Sequence, residues 1–336
     1  MTVELTLLAL VVAAALAFDF LNGFHDTANA IATVVSTGVL RPRSAVLMAA
    51  FLNVLGAFLG TAVASTIGKG ILDPQAVTQP LVLAALLSAI AWNLLTWWFG
   101  IPSSSSHALI GGLVGAALVT SGSVGLQASG IETVVIALVV SPVLGFGAAF
   151  VSMIATYWLT HRMRPTAINL LFRRMQIASS AFMALSHGNN DAQKTMGVIT
   201  MALAAYRGVD VEGSSRLPIP AWVVLSCAFA MGAGTAAGGW RIIRTMGTRI
   251  FKLRPIHGFC AETGAAGVIQ LASHLGLPTS TTHTITAAIM GAGATTRLSA
   301  VSWGVTRRIV WAWILTIPVC AALGAAFIAG FRAAGL

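Results

Sequence analysis

The segment LNGFHDTANAIA, residues 21–32, sets His25, Asp26 and Asn29 deep inside an otherwise apolar run. Charged and amide groups in hydrocarbon are costly, and as a rule they mark a pathway or a site. A second segment, SHGNNDAQKT at 186–195, repeats the pattern. Aligning Gly23 with Gly188 puts Asp26 on Asp191, His25 on Asn190 and Asn29 on Lys194. Two hydroxyl clusters form another pair: PSSSSH at 102–107 and PTSTTH at 278–283. Each follows a Gly-x-Pro break and leads into a run of small residues.

The hydroxyl clusters suit an oxyanion. Proline is tolerated at a helix start, and Ser or Thr caps the free amides there. Such a terminus offers N–H donors and a partial positive charge. Two of them, one per copy, can face one tetrahedral anion, with the cluster hydroxyls as further rotatable donors. Two carboxylates beside an anion site make sense if a cation travels with the anion. Asp26 and Asp191 would bind a sodium ion, or take up the proton themselves in a desolvated setting. No resident metal or other cofactor is expected, since the ion is cargo.

The remaining polar residues leave alternatives open. Asn29, Asn190 and Gln193, with Asn22 and Asn189, can complete a cation shell through carbonyl oxygens or bond the anion through their amides. Lys194 can pair with an aspartate or with the anion. His25 and His187 flank the aspartates and suit a proton relay. Glu262, in GFCAETGAA, is a further carboxylate in an apolar run and a candidate cation ligand. His107 and His283 follow the hydroxyl clusters as site members or as helix-packing donors. A Ser104–His107 hydrolase is disfavoured because the motif is duplicated, with no single nucleophile. A passive anion channel is disfavoured because anion pores favour Arg and Lys linings.

The elements that must position these groups follow from composition. Of 336 residues, 57% are hydrophobic and 8% charged, against about 25% charged in soluble domains. The reading is an all-α polytopic membrane protein in the lipid bilayer. The net charge of +10 sits in short loops, which fits the positive-inside rule better than a nucleic-acid partner. The N-terminus lacks a basic n-region and carries Glu4, so a retained first helix is expected rather than a cleaved signal. Cys227, Cys260 and Cys320 have no metal-type spacing and read as packing residues.

Two motif pairs in the same order indicate a duplication. Spans are expected at 5–38 (broken near the Asp motif), 44–66, 80–99, 103–120 and 132–160, and again at 176–204 (broken), 219–238, 257–275, 279–296 and 304–332. Basic loops at Arg41 and Arg43, at Arg162, Arg164, Arg173 and Arg174, and at 241–254 alternate with near-neutral loops at Lys69 and Asp73 and at Arg207, Asp210, Glu212 and Arg216. If basic loops are cytoplasmic, the halves have opposite topology and both termini lie outside. The fold expected is therefore two inverted-topology repeats, 1–160 and 176–336, joined by a basic cytoplasmic connector at 161–175. It would have broken helices, Ser/Thr-led helical hairpins and about 10–12 membrane segments, with the site near midplane. Gly56-x-x-x-Gly60 and Gly111-x-x-x-Gly115 are expected at close helix crossings.

The segments GFHDTANAIATVVSTG and SHGNNDAQKTMG, with PSSSSH and PTSTTH, resemble the paired signatures of the inorganic phosphate transporter (Pit) family over nearly the whole chain. The resemblance implies secondary active import of inorganic phosphate by cation symport, proton or sodium. On that pattern Asp26, Asn29, Asp191 and Lys194 would line the pathway, and Ser104, Ser105 and Ser106 with Ser280, Thr281 and Thr282 would hold phosphate. His25 stands where Asn is commoner, as in the bacterial low-affinity branch. That branch implies proton coupling and carriage of a divalent metal bound to phosphate. The resemblance admits a homodimer, a bacterial inner-membrane location and, through some relatives, sulfate as substrate.

Overall fold

The computed structural model describes residues 3–209 and 217–335. Asp210, Glu212 and Arg216, used above in reading loop charge, lie outside the described residues. Among the described residues there are twelve α-helices and no strand. The first six are α1 (Val3–Ser36), α2 (Pro42–Gly56), α3 (Ala62–Gly70), α4 (Gln79–Phe99), α5 (Ser105–Thr120) and α6 (Ala128–Thr160). The second six are α7 (Pro165–Arg207), α8 (Ala221–Ala237), α9 (Trp240–Arg244), α10 (Pro255–His274), α11 (Thr281–Ala294) and α12 (Trp303–Ala333). Each set runs long helix, interrupted pair, helix, hydroxyl-led helix, long helix. Pro142 inside α6 and Pro318 inside α12 keep the offset that relates Pro102 to Pro278.

By length and apolarity α1, α4, α6 and α12 can each cross a membrane, and α8 with the segment 240–249, bent by 61°, is long and apolar enough to be a fifth crossing if the pair is one span. The polar motif in α7 removes it from that set despite its 43 residues. Packing is exchanged between the sets. α1 lies on α8 while α7 lies on α2, and α5 lies on α12 while α11 lies on α6. Small residues set these crossings, because without a hydrophobic drive between helices close backbone approach does the work. A Cβ on Gly23 would sit 2.2 Å from the Met231 carbonyl oxygen, and one on Gly188 2.2 Å from that of Asn53. Gly56 and Gly234 make the reciprocal approaches, to the carbonyls of Leu185 and Phe20. Gly111 and Gly115 do the same against α12, whereas Gly60 touches only the Gln193 and Asn189 side chains.

The interruptions differ from expectation. The helices carrying the Asp motifs are continuous, since neither motif contains a proline and the single glycine of each is used for a crossing. The breaks fall one element later. Residues 57–61 separate α2 from α3, so the expected 44–66 span is two pieces, and Gly238 (φ +73°) and Gly239 separate α8 from α9. Gln193 accepts hydrogen bonds from Val63 N (2.8 Å) and Ala64 N (3.4 Å), satisfying the start of α3. The expected connector 161–175 is helical from Pro165 onward, because proline suits the first turn of a helix. Only 161–164 link α6 to α7.

The bundle has two distinct ends. At one, Arg173 donates to the Gly38 carbonyl (3.0 Å), Ser302 N bonds Ile250 O (2.9 Å), and Tyr157, Pro165 and Arg254 line one groove. At the other, Glu4 shares a groove with Gln79 and Tyr206, Asp73 N bonds Gly125 O (3.1 Å), and Arg332 donates to Val119 and Thr120 carbonyls. Both ends of the described chain therefore reach the same end, opposite the Arg41, Arg162 and Arg254 loops.

Candidate transport site

Two turns of backbone build the centre. Gly100 (φ +63°) ends α4 and Gly276 (φ +72°) follows α10, each leading through a proline into a capped helix. Ser104 accepts from His107 N and Ser280 from His283 N, both at 3.2 Å. These two expected anion-binding hydroxyls are therefore the helix caps. The first amides of each helix have no intrahelical partner, and the cap takes one of them, at His107 and at His283. The two starts meet: His107 and His283 stack with centroids 4.4 Å apart, and Ser106 Oγ lies 3.4 Å from the Thr279 carbonyl oxygen. His283 also stacks on Trp313 (3.9 Å), whose Nε1 donates to Pro102 O (3.0 Å).

The Asp motifs close on these starts from α1 and α7. Thr282 Oγ1 donates to Asp26 Oδ2 (3.0 Å), and Thr281 Oγ1 donates to Asp191 Oδ2 (2.8 Å). Ser105 donates to Asn22 Oδ1 (2.7 Å) and reaches Asp26 Oδ2 (3.5 Å). Asn29 Nδ2 donates to Thr281 (3.3 Å) and Thr282 (3.0 Å). In the matching place Lys194 Nζ donates to Ser106 Oγ (2.6 Å), Thr279 O (2.7 Å) and Asp191 Oδ1. Each motif thus reaches the hydroxyl cluster of the other set. Each aspartate also has an imidazole: His25 Nδ1 lies 2.6 Å from Asp26, and His187 Nε2 3.0 Å from Asp191. Ligand atoms of Asp26, His187 and Asp191 lie within 4.8 Å of one another. All these side chains are buried. Such a centre sets hydroxyls and amides, which suit an anion, beside two carboxylates, of which Asp191 is already paired with the Lys194 ammonium.

Three expected members lie apart from it. Asn190 donates to Ser273 Oγ (2.8 Å) and reaches Leu277 O (3.5 Å), tying α7 to the end of α10. Gln193 holds the start of α3 and bonds Asn189. Glu262 sits in its own buried cluster, bonded by Thr33 and Ser179 hydroxyls and by Gln176 Nε2 (3.2 Å).

The structure adds residues that sequence reasoning passed over. Asp19 is fully buried and accepts from Thr195 (3.0 Å). Its spacing from Asn22 and Asp26, three and then four, is the helical signal that points to it. Thr96 joins His25 (3.2 Å) to Ser103 (2.8 Å), and Asn53 joins His187 (3.0 Å) to Thr235 (2.8 Å). These came from helices with no motif to mark them.

A bundle with several apolar crossing helices and a buried ionic centre assembled from both sets defines a polytopic membrane transporter. The Phosphate transporter family model matches residues 22–324. A Rhizobium meliloti (strain 1021) protein named "Probable low-affinity inorganic phosphate transporter" is 50% identical, over 96% of each chain. One of the same name from Bacillus subtilis (strain 168) is 47% identical, over 97% of each. A solved structure titled "The sodium-dependent phosphate transporter" superposes with a TM-score of 0.87 at 28% identity, covering 97% of this chain and 99% of that one. The chain belongs to the phosphate transporter family, whose members are transporters and not enzymes.

Proposed function

We propose that the protein imports inorganic phosphate by cation symport across a bacterial inner membrane, with the proton as coupling ion. The observation that carries this reading is the pairing of each buried aspartate with an imidazole, beside hydroxyls from both helix starts. A carboxylate–imidazole pair holds and passes a proton, whereas a sodium shell is made of oxygens. Phosphate arriving with a proton can donate to an ionised aspartate. Sulfate has none to give, and the carboxylate repels it.

The centre is buried from both ends, so loading requires relative motion of the helices. In this reading 1–160 and 176–336 are inverted repeats. One rocks against the other around the fixed site, with the basic end cytoplasmic and both termini outside. Coupling follows when cation and anion each bind better in the presence of the other.

Sodium is the second reading, favoured by the sodium-dependent structural neighbour and by the carboxylate pair. The test is labelled-phosphate uptake into proteoliposomes under an imposed proton or sodium gradient, with excess unlabelled sulfate. Proton-driven accumulation that resists sulfate is expected. Accumulation driven only by sodium would move coupling to the second reading, and flux that stops at equilibrium would make the protein a channel.

A further inference from the structure

Asn29 and Lys194 occupy matching places in the two Asp motifs, but only one of them is charged. The Asn29 amide spans two hydroxyls. The Lys194 ammonium instead has three oxygen partners of three kinds: the Asp191 carboxylate, the Ser106 hydroxyl and the Thr279 carbonyl. That number matches the three donors of an ammonium. Carboxylate, hydroxyl and carbonyl oxygens are also the ligands that hard cations take. The ammonium is buried, and an unpaired charge at that depth is costly. The group is therefore seated as an ion would be, not snorkelling toward a surface.

We propose that Lys194 is a tethered cation filling a monovalent-cation seat at Asp191. Of the two motif aspartates the coupling ion is then left one to neutralise, Asp26, whose neighbours are His25, Thr282 and Ser105. Lys194 is in this view the residue that makes the second half of the site independent of sodium. The statement about Asp26 rests on the symport reading, and the statement about the seat does not.

The test is thermal unfolding of purified protein in NaCl against KCl, for the wild type, Lys194→Asn and the double variant Asp191→Asn/Lys194→Asn. A ligand that binds the folded state alone raises its stability. Lys194→Asn is expected to gain several degrees in NaCl over KCl beyond any difference shown by the wild type. The double variant is expected to lose that gain, because the seat has lost its carboxylate. Three results would overturn the proposal: no added sodium effect in Lys194→Asn, an effect that persists in the double variant, or a Lys194→Asn chain that folds in neither salt. Since the readout is a difference from wild type, it stands or falls separately from the ion that drives wild-type uptake. If phosphate uptake itself fails in the proteoliposome test, the symport reading fails while the sodium seat can still be measured.

Discussion

Asp26 is the residue on which the proposed coupling turns. Its Oδ1 faces His25 and its Oδ2 takes a hydrogen bond from Thr282. Asp26→Asn keeps the shape and removes the charge and the proton site. Gradient-driven phosphate uptake is expected to fall to background while the melting temperature stays near that of the wild type. A well-folded variant with normal uptake would remove Asp26 from the mechanism. Thr282 is a gentler probe, because its hydroxyl both donates to Asp26 and accepts from Asn29. Thr282→Val leaves two buried groups short of a partner, each worth about 1–3 kcal/mol. Asp26 and Asn29 each keep a second hydroxyl in reach, Ser105 and Thr281, so only part of that sum is expected in uptake, a drop in kcat/KM of roughly tenfold to a hundredfold at about 1.4 kcal/mol per factor of ten. The residue scale was also the most legible one. Asp26, Asp191, Lys194 and the hydroxyls announce themselves because a polar side chain inside an apolar run is costly unless it is bonded. Asn190, Gln193 and Glu262 carry the same signal, yet their partners are Ser273, the start of α3 and the Thr33–Ser179 pair. Polarity in an apolar helix states that a partner is needed, and it does not say which one.

At the scale of elements, the crossings α1–α8 and α2–α7 hold the Asp motifs at fixed depth. Gly188→Ala would drive a Cβ to 2.2 Å from the Asn53 carbonyl oxygen, where backbone on both sides must yield. Overpacking of this kind costs about 1–3 kcal/mol. A lower unfolding midpoint in detergent is expected, together with reduced uptake, since the helix carrying Asp191 and Lys194 is displaced. Gly147→Ala, with nothing within 4 Å of the added Cβ, is the matched control and should leave both unchanged. Equal midpoints for the two variants would show that the close approach does not limit packing. Most helix boundaries were readable from hydropathy, Pro and Gly, as at Gly100–Pro102 and Gly276–Pro278. The breaks were misplaced by one element. A polar motif and a helix break lower the apolarity of a segment alike, and only backbone packing distinguishes them.

For the whole molecule, the expectation is opposite topology of the two halves. The basic loops and the two ends of the described chain lie at opposite ends of the bundle. Single cysteines at Arg162 and at Gln75, in a chain freed of Cys227, Cys260 and Cys320, can be labelled with a membrane-impermeant maleimide. Gln75→Cys is expected to react in intact cells, and Arg162→Cys only in inside-out vesicles. Labelling of both from the same face would refute the orientation.

The sequence by itself determined that this chain lies in a membrane, that two motifs occur in it as matching pairs, and that hydroxyl-led segments suited to an oxyanion are among them. These follow from composition and from which residue types stand at which spacing, and they need no knowledge of contacts. The tertiary structure alone decided which groups meet. Asn29 finds Thr281 and Thr282 from 252 and 253 positions away, and Lys194 finds Ser106 across 88. Such pairings arise from how helices cross, through backbone approaches at residues such as Gly23 and Gly188, and no local pattern along the chain encodes the partner on the far side of a crossing.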